Sequence, residues 1–432
     1  MAAADSSNLN GGESEAGMAQ GQAFGEQHTA RIIATLALAM ALLAAVPVAT
    51  ASEAPPADKT AEPSLPEYKF PYRNGFYATI VGFNSVKNIK LPLLQQFPIE
   101  VEGFNCSVSA RGIFQPGPAP LVIVLLGAEG RVIDPLAKRW IAAIAEHGCH
   151  VLAFNSTLQK DFVSICGRGP SGNIEGEAEC VRDIIAAALK SPCLSGRVTQ
   201  LGVVGMSYGG IEALLLGRMA AENKLPFKID AIQAYSPPID LMRSVDLIDR
   251  WWREDRWKFT LPEIYFALSK HKPVESGCCI PHSDSLMRAG IAASFRLELA
   301  DIVEANDEQY GLNILPRASN ADERIRRHDF AATWGFIRFM RNVSYPYYKE
   351  KLKLNDFSEL NAGAKLCNLI DKVPKCTDII IADDDPLNTQ EDLAALKNCH
   401  TLAKLTILPG GGHIGYTQEP WTQANLAALF SR

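Results

Sequence analysis

From Leu121 to Tyr235 the chain alternates continuous apolar runs with amphipathic stretches, and that rhythm leaves few folds open. Leu121–Leu126 (LVIVLL) contains no polar residue, as in a strand covered on both faces, and a helical pattern follows over Asp134–His147. The pair repeats as Cys149–Phe154 with Glu175–Lys190 and as Val198–Val204 with Ser207–Ala221, before a further apolar run, Ile229–Tyr235. Such alternation gives parallel strands joined by right-handed helical crossovers. The expected fold class is therefore α/β, a mostly parallel central sheet flanked by helices, with ligands at the carboxyl ends of the strands. Thr377–Ala382, a helix over Thr389–Asn398, Leu402–Leu408 and a final amphipathic helix over Trp421–Phe430 resume the pattern. Upstream, Gly75–Gly82 and Cys106–Phe114 read as opening strands between glycines and prolines.

Between these halves, Asp240 to about Asp356 holds charged, aromatic and helix-like segments with no buried strand, and reads as an inserted helical cap. The expected organisation is a polar N-terminus and signal segment over 1–51, a linker over 52–66, core over 67–240, cap over 241–356 and core again over 357–432. Ile32–Val46 is apolar, and Pro47 and the small residues Ala49-Thr50-Ala51 follow, which suits a cleaved export signal. An uncleaved anchor is the alternative, because Ile32–Ala51 is about the 20 residues that span a bilayer. Starting at Met18 would improve the fit, since Arg31 is the only Lys or Arg before the run. Four prolines between Ser52 and Pro66 suit a linker.

With 432 residues, 47% hydrophobic and 21% charged, the chain can bury a large core. A net charge of -6 gives no extended basic surface, so nucleic acid is not an expected partner and a small molecule is. The ten cysteines all follow Ala51 and suit an oxidising compartment. Cys367 with Cys376 and Cys180 with Cys193 are the local candidates for pairing, and Cys149, inside an apolar strand, reads as a buried free thiol. Cys278, Cys279 and His282 lack a second matched pair, so no metal is called for, nor any cofactor.

The chemistry concentrates at Gly205-Met206-Ser207-Tyr208-Gly209-Gly210, where an apolar run turns into a helical one. A nucleophile held at a sharp strand-to-helix bend needs small neighbours two positions to either side, and Gly205 and Gly209 supply them. A serine hydroxyl also needs a base, and the base an acid. Pro409-Gly410-Gly411-Gly412-His413 follows the last strand, and Asp383-Asp384-Asp385-Pro386-Leu387 follows the one before it. The order Ser207, Asp385, His413 is that of α/β-hydrolases. Asp385 is chosen because it directly precedes proline, with Asp384 as the alternative. The oxyanion donors expected are the amides of Tyr208 and Ala128, with Gly127 as the alternative to Ala128.

These segments resemble the α/β-hydrolase superfamily, and within it the esterase branch of the bacterial YheT-like hydrolases and their eukaryotic α/β-hydrolase-domain relatives. The resemblance covers roughly Pro118 to Tyr416. It is carried by Pro120–Gly127, His150–Asn155, Tyr235–Leu241, Ala382–Leu387 and Gly411–Tyr416, and less by Arg324–Phe330 and Tyr345–Leu352 of the cap. Leu126 stands where that branch usually has histidine, which leaves the backbone donors available. The resemblance implies hydrolysis of a small-molecule carboxylic ester through an acyl-enzyme, with the cap roofing the acyl pocket. Trp251, Trp252 and Tyr265 read as cap core, or alternatively as lining of that pocket. A prolyl-oligopeptidase-type serine peptidase and a catalytically silent binding fold are the rival readings. The chain lacks the length and repeats of the former's propeller. Membrane contact is expected only through the N-terminal segment, if uncleaved.

Overall fold

A computed structural model describes residues 65–84, 93–128, 130–260, 263–264 and 283–430. The signal and most of the linker, and also Tyr265, Cys278, Cys279 and His282, lie outside the described residues. Eight strands form one sheet: β1 (Gln95–Ile99), β2 (Val108–Ile113), β3 (Ala119–Leu125), β4 (His150–Ala153), β5 (Val198–Met206), β6 (Ala231–Tyr235), β7 (Thr377–Ala382) and β8 (Lys404–Leu408). Their order is β1-β2-β4-β3-β5-β6-β7-β8. β2 is antiparallel to both β1 and β4, and every later pairing is parallel. This is the α/β-hydrolase fold.

The helices are α1 (Gly75–Asn84), α2 (Pro135–Glu146), α3 (Lys160–Cys166), α4 (Ile174–Lys190), α5 (Tyr208–Ala221), α6 (Leu241–Asp255), α7 (Asp284–Tyr310), α8 (Ala321–Ala331), α9 (Phe336–Phe339), α10 (Tyr345–Leu352), α11 (Leu366–Leu369), α12 (Gln390–Asn398) and α13 (Pro420–Ala427). They cover both faces of the sheet, which explains why β3 has no polar residue. Leu121, Ile123 and Leu125 enter the core shared with α4, α5 and the helices between β6 and β7. Val122, Val124 and Leu126 enter the other core, with Trp140 and Ile141 of α2. Trp140 is fully buried and meets Tyr235 edge to face at 4.8 Å.

The helices α6 to α11 fill the interval between β6 and β7, and an ion pair holds three of them together. Asp249 of α6 accepts from Arg296 of α7 at 2.9 Å and from the amides of Phe336 and Ile337 in α9, both at 3.0 Å. Asp249 and Arg296 are both buried, so losing either partner would strand a charge without water.

Two expectations need correction. Gly75–Gly82 is not a strand but most of α1. Its Phe, Tyr, Ile and Val favour strands, yet Asn74 caps the segment, its Oδ1 accepting from the Tyr77 amide at 3.0 Å. Tyr77, Ala78, Thr79 and Ile80 are buried in succession, as in a helix enclosed on all sides. Packing against the chain at Gly415 overrides propensity: a Cβ on Gly82 would lie 2.2 Å from Gly415 Cα. The opening strand β1 lay outside the expectation because Pro98 interrupts its pattern, and proline is tolerated there because β1 is an edge.

The cysteine pairs also differ. Among the described residues the disulfides are Cys166–Cys180 and Cys367–Cys399, and Cys193 and Cys376 are free. Cys180 and Cys193 cannot meet because α4 runs on to Lys190, ten residues or about 15 Å of rise, far beyond disulfide reach. Cys376 precedes β7 and its carbonyl accepts from the Ile232 amide, while Cys367 faces Cys399 at the end of α12, 5.9 Å between Cα atoms. Cys149 is a buried free thiol. No described helix is long and apolar enough to cross a membrane.

Candidate active site

β5 delivers Ser207 at its carboxyl end, where backbone contact excludes any side chain at either flanking glycine. A Cβ on Gly205 would sit 2.1 Å from the Gly209 carbonyl oxygen, and one on Gly209 would sit 2.5 Å from Leu125. Ser207 has φ 52° and ψ -119°, a conformation that costs on the order of 1–3 kcal/mol and persists only where its surroundings enforce it. The Ser207 amide donates to Tyr235 O at 2.8 Å, and its carbonyl accepts from Gly210 and Ile211. The bend is thus tied to β6 on one side and α5 on the other.

After β8, Gly410, Gly411 and Gly412 have φ of 83°, 129° and 60°, a run that residues with a Cβ rarely adopt. It turns the chain back over the sheet and brings His413 Nε2 to 2.8 Å from Ser207 Oγ. His413 Nδ1 lies 2.8 Å from Asp385 Oδ2. With the proton on Nδ1, donated to the carboxylate, Nε2 is left to accept from the serine. Ser207, His413 and Asp385 are all buried.

The three consecutive aspartates divide the labour. Asp383 Oδ1 accepts from the Gly410 amide and Asp384 Oδ1 from the Gly412 amide, both at 2.7 Å, so these two hold the glycine loop and only Asp385 reaches the imidazole. Asp385 Oδ1 accepts from the Leu387 amide at 2.9 Å, which fixes the carboxylate plane. Burial pushes the Asp384 carboxyl above its usual range, against the loop amides that lower it.

Ala128, Ser207 and Tyr208 line one cavity. The Tyr208 amide opens α5, among the N–H groups that a helix leaves without an intrahelical partner. Gly127 lies against the serine, since a Cβ there would be 3.3 Å from Ser207 Cβ. Leu126 is not among the cavity's lining residues and belongs to the α2 core. Apart from Ser244, the remaining walls are apolar and come chiefly from α6 (Val245, Ile248), α7 (Phe295, Leu299) and the α9 segment (Phe336, Phe339). Trp251 and Trp252 do not line it: Trp251 is buried against Phe76, and Trp252 lies beneath Arg256 and Arg296.

Two contributors carried no sequence signal. Thr79 of α1 accepts from the His413 amide at 2.8 Å and donates to Gly75 O at 2.7 Å. Ser236 Oγ accepts from the Ile414 amide at 3.3 Å and shares a 2.9 Å hydrogen bond with Tyr416. Both are single hydroxyl residues in apolar segments, without a repeating pattern to mark them.

No protein-family model and no curated protein matches the chain. It is similar to solved structures of an esterase from Pyrococcus furiosus, at 15% identity over 79% of this chain and 90% of that one, TM-score 0.42. It is also similar to a carboxylesterase from Bacillus subtilis, at 12% over 82% and 96%, TM-score 0.41, and to a proline iminopeptidase from Mycobacterium smegmatis, at 13% over 78% and 98%, TM-score 0.38. The fold assignment rests on the strand order.

Proposed function

We propose that the protein is a serine hydrolase that cleaves carboxylic esters through an acyl-enzyme. The observation that carries this reading is the continuous hydrogen-bonded line from Ser207 through His413 to Asp385 at a strained strand-to-helix bend. Ser207 Oγ attacks the ester carbonyl while its proton passes to His413 Nε2, and Asp385 stabilises the imidazolium that forms. The amides of Tyr208 and Ala128 hold the developing oxyanion. His413 then returns the proton to the leaving alcohol. Water, deprotonated by the same imidazole, releases the acid from Ser207.

An ester is preferred to a peptide because, among the described residues, no acidic side chain lines the cavity to hold a substrate ammonium group. We also propose membership of the YheT-like branch on the segments quoted above, and a small-molecule ester as the partner. Export is proposed through the Ile32–Ala51 segment, supported by two disulfides; N-terminal sequencing of mature protein checks it. The functional test compares p-nitrophenyl esters with aminoacyl p-nitroanilides, for the native chain and for Ser207→Ala. Ester turnover that vanishes in Ser207→Ala supports the proposal. Faster amide turnover would move the protein to the peptidases, and an active Ser207→Ala would remove Ser207 from the mechanism.

A further inference from the structure

Behind the proposed oxyanion site lie two buried carboxyl groups that the triad does not use. Glu177 of α4 and Glu212 of α5 are 9% and 2% exposed, and Thr157, between them, is 2% exposed. Glu177 Oε1 accepts from the Gly172 amide at 2.8 Å. Glu177 Oε2 receives the Tyr208 hydroxyl in a short hydrogen bond and lies 3.3 Å from Thr157 Oγ1. Thr157 Oγ1 lies 2.6 Å from Glu212 Oε1. Among the described residues, no Lys, Arg or His makes a hydrogen bond or ion pair with either carboxyl.

The placement of the donors points to one occupancy of this line. Thr157 has one hydroxyl proton and two carboxyl neighbours. The anion belongs where donors converge: Glu177 accepts from the Gly172 amide and the Tyr208 hydroxyl, neither of which depends on Thr157, whereas among the described residues only Thr157 forms a hydrogen bond with Glu212. Thr157 therefore gives its proton to Glu177, and its contact with Glu212 needs a proton from Glu212. We infer that Glu177 is a carboxylate that positions Tyr208 and Gly172 around Ser207, and that Glu212 is a neutral acid that keeps its proton and donates it in a hydrogen bond to Thr157, whose own hydroxyl donates to Glu177 and completes that brace. Tyr208 supplies the proposed oxyanion amide and Gly172 lines the cavity, so Glu177 acts on the reaction only through them.

The electrostatics agree. Burial raises Glu212 to about 8, against the Thr157 hydrogen bond and with a smaller push from Glu177, and burial raises Glu177 as well, against the three donors that favour its charged form. The ionisable groups that face the pair are Tyr208 on α5, Tyr310 on α7 and Tyr348 on α10, all acids themselves. The folded protein keeps a proton on Glu212 that the unfolded chain releases in the ordinary carboxylate range. Its contribution to stability is therefore full below the ordinary carboxylate range and is lost progressively as pH rises from that range to about 8.

This inference rests on the serine-hydrolase reading for its kinetic arm alone. Glu177→Gln turns an amide donor group towards two hydroxyls and is expected to lower kcat by about ten- to a hundredfold, with KM little changed. Glu212→Gln can still donate to Thr157 and is expected to keep kcat at pH 7 within about threefold, a difference too small to register as a lost positioning contact. Thr157→Val should behave as Glu177→Gln, and Thr157→Ser should restore activity. In the native chain Tm should fall as pH rises from the ordinary carboxylate range to about 8 and level off above it, and Glu212→Gln should lack that component. A Glu212→Gln as damaging as Glu177→Gln, or a loss of Tm between the ordinary carboxylate range and about 8 that survives in it, overturns the inference. Should the native chain turn over no ester, the functional proposal fails, and the Tm comparison still decides the proton's place.

Discussion

Replacing Asp384 and Asp385 in turn with asparagine separates the acid that orients the imidazole from one that holds its loop. Asp385 uses both oxygens, Oδ1 for the Leu387 amide and Oδ2 for His413 Nδ1. In Asp385→Asn the single remaining oxygen stays with Leu387, and the amide nitrogen faces Nδ1. The imidazole must then carry its proton on Nε2, directed at Ser207 Oγ, and cannot take the serine's. The corresponding substitution in a serine protease costs about 10⁴ in kcat, which is about 5.5 kcal/mol of transition-state stabilisation. Asp384→Asn keeps an oxygen for the Gly412 amide and should cost less than about tenfold, the loss of a charge-assisted bond and not of a proton acceptor. The assay is p-nitrophenyl butyrate hydrolysis under saturating and limiting substrate, with Tm measured on each variant. A larger loss in Asp384→Asn than in Asp385→Asn, or an Asp385→Asn within tenfold of the native chain, would refute the assignment.

Two further outcomes follow from single contacts. Thr79→Val leaves the buried His413 amide without an acceptor, at a cost of about 1–3 kcal/mol, and should lower both Tm and kcat, whereas Thr79→Ser should retain both. Peptide mapping without reduction should recover Cys166 joined to Cys180 and Cys367 to Cys399, and reduction should cost about 3 kcal/mol for each bridge in chemical denaturation; a Cys367–Cys376 peptide would contradict the arrangement of α11 and α12.

The parts of this molecule that show in its sequence are those repeated by local chemistry. β3 is legible because both its faces are covered, so Leu121 to Leu126 could tolerate no polar residue. Ser207 and His413 are legible because their backbones demand glycines at fixed offsets, and Asp385 because it follows the strand beside His413. The segment Gly75–Gly82 is not, since its residues favour a strand and only tertiary enclosure against Gly415 makes it helical. Cys166–Cys180 escapes sequence reading because it depends on how far α4 runs, and Thr79 because one hydroxyl in an apolar segment has no pattern. The brace of Glu177, Thr157 and Glu212 draws on three separated elements, and nothing local distinguishes its carboxyls from those on a solvated helix face.

The central claim is that Ser207 carries the acyl group between the two half-reactions. Rapid acid quench of the protein with a p-nitrophenyl ester, followed by mass spectrometry of its peptides, tests it directly. One acyl group per chain is expected on the peptide containing Ser207, formed with a burst of p-nitrophenol and absent in Ser207→Ala. Turnover without any acylated Ser207, or an acyl group on another residue that persists in Ser207→Ala, would contradict it.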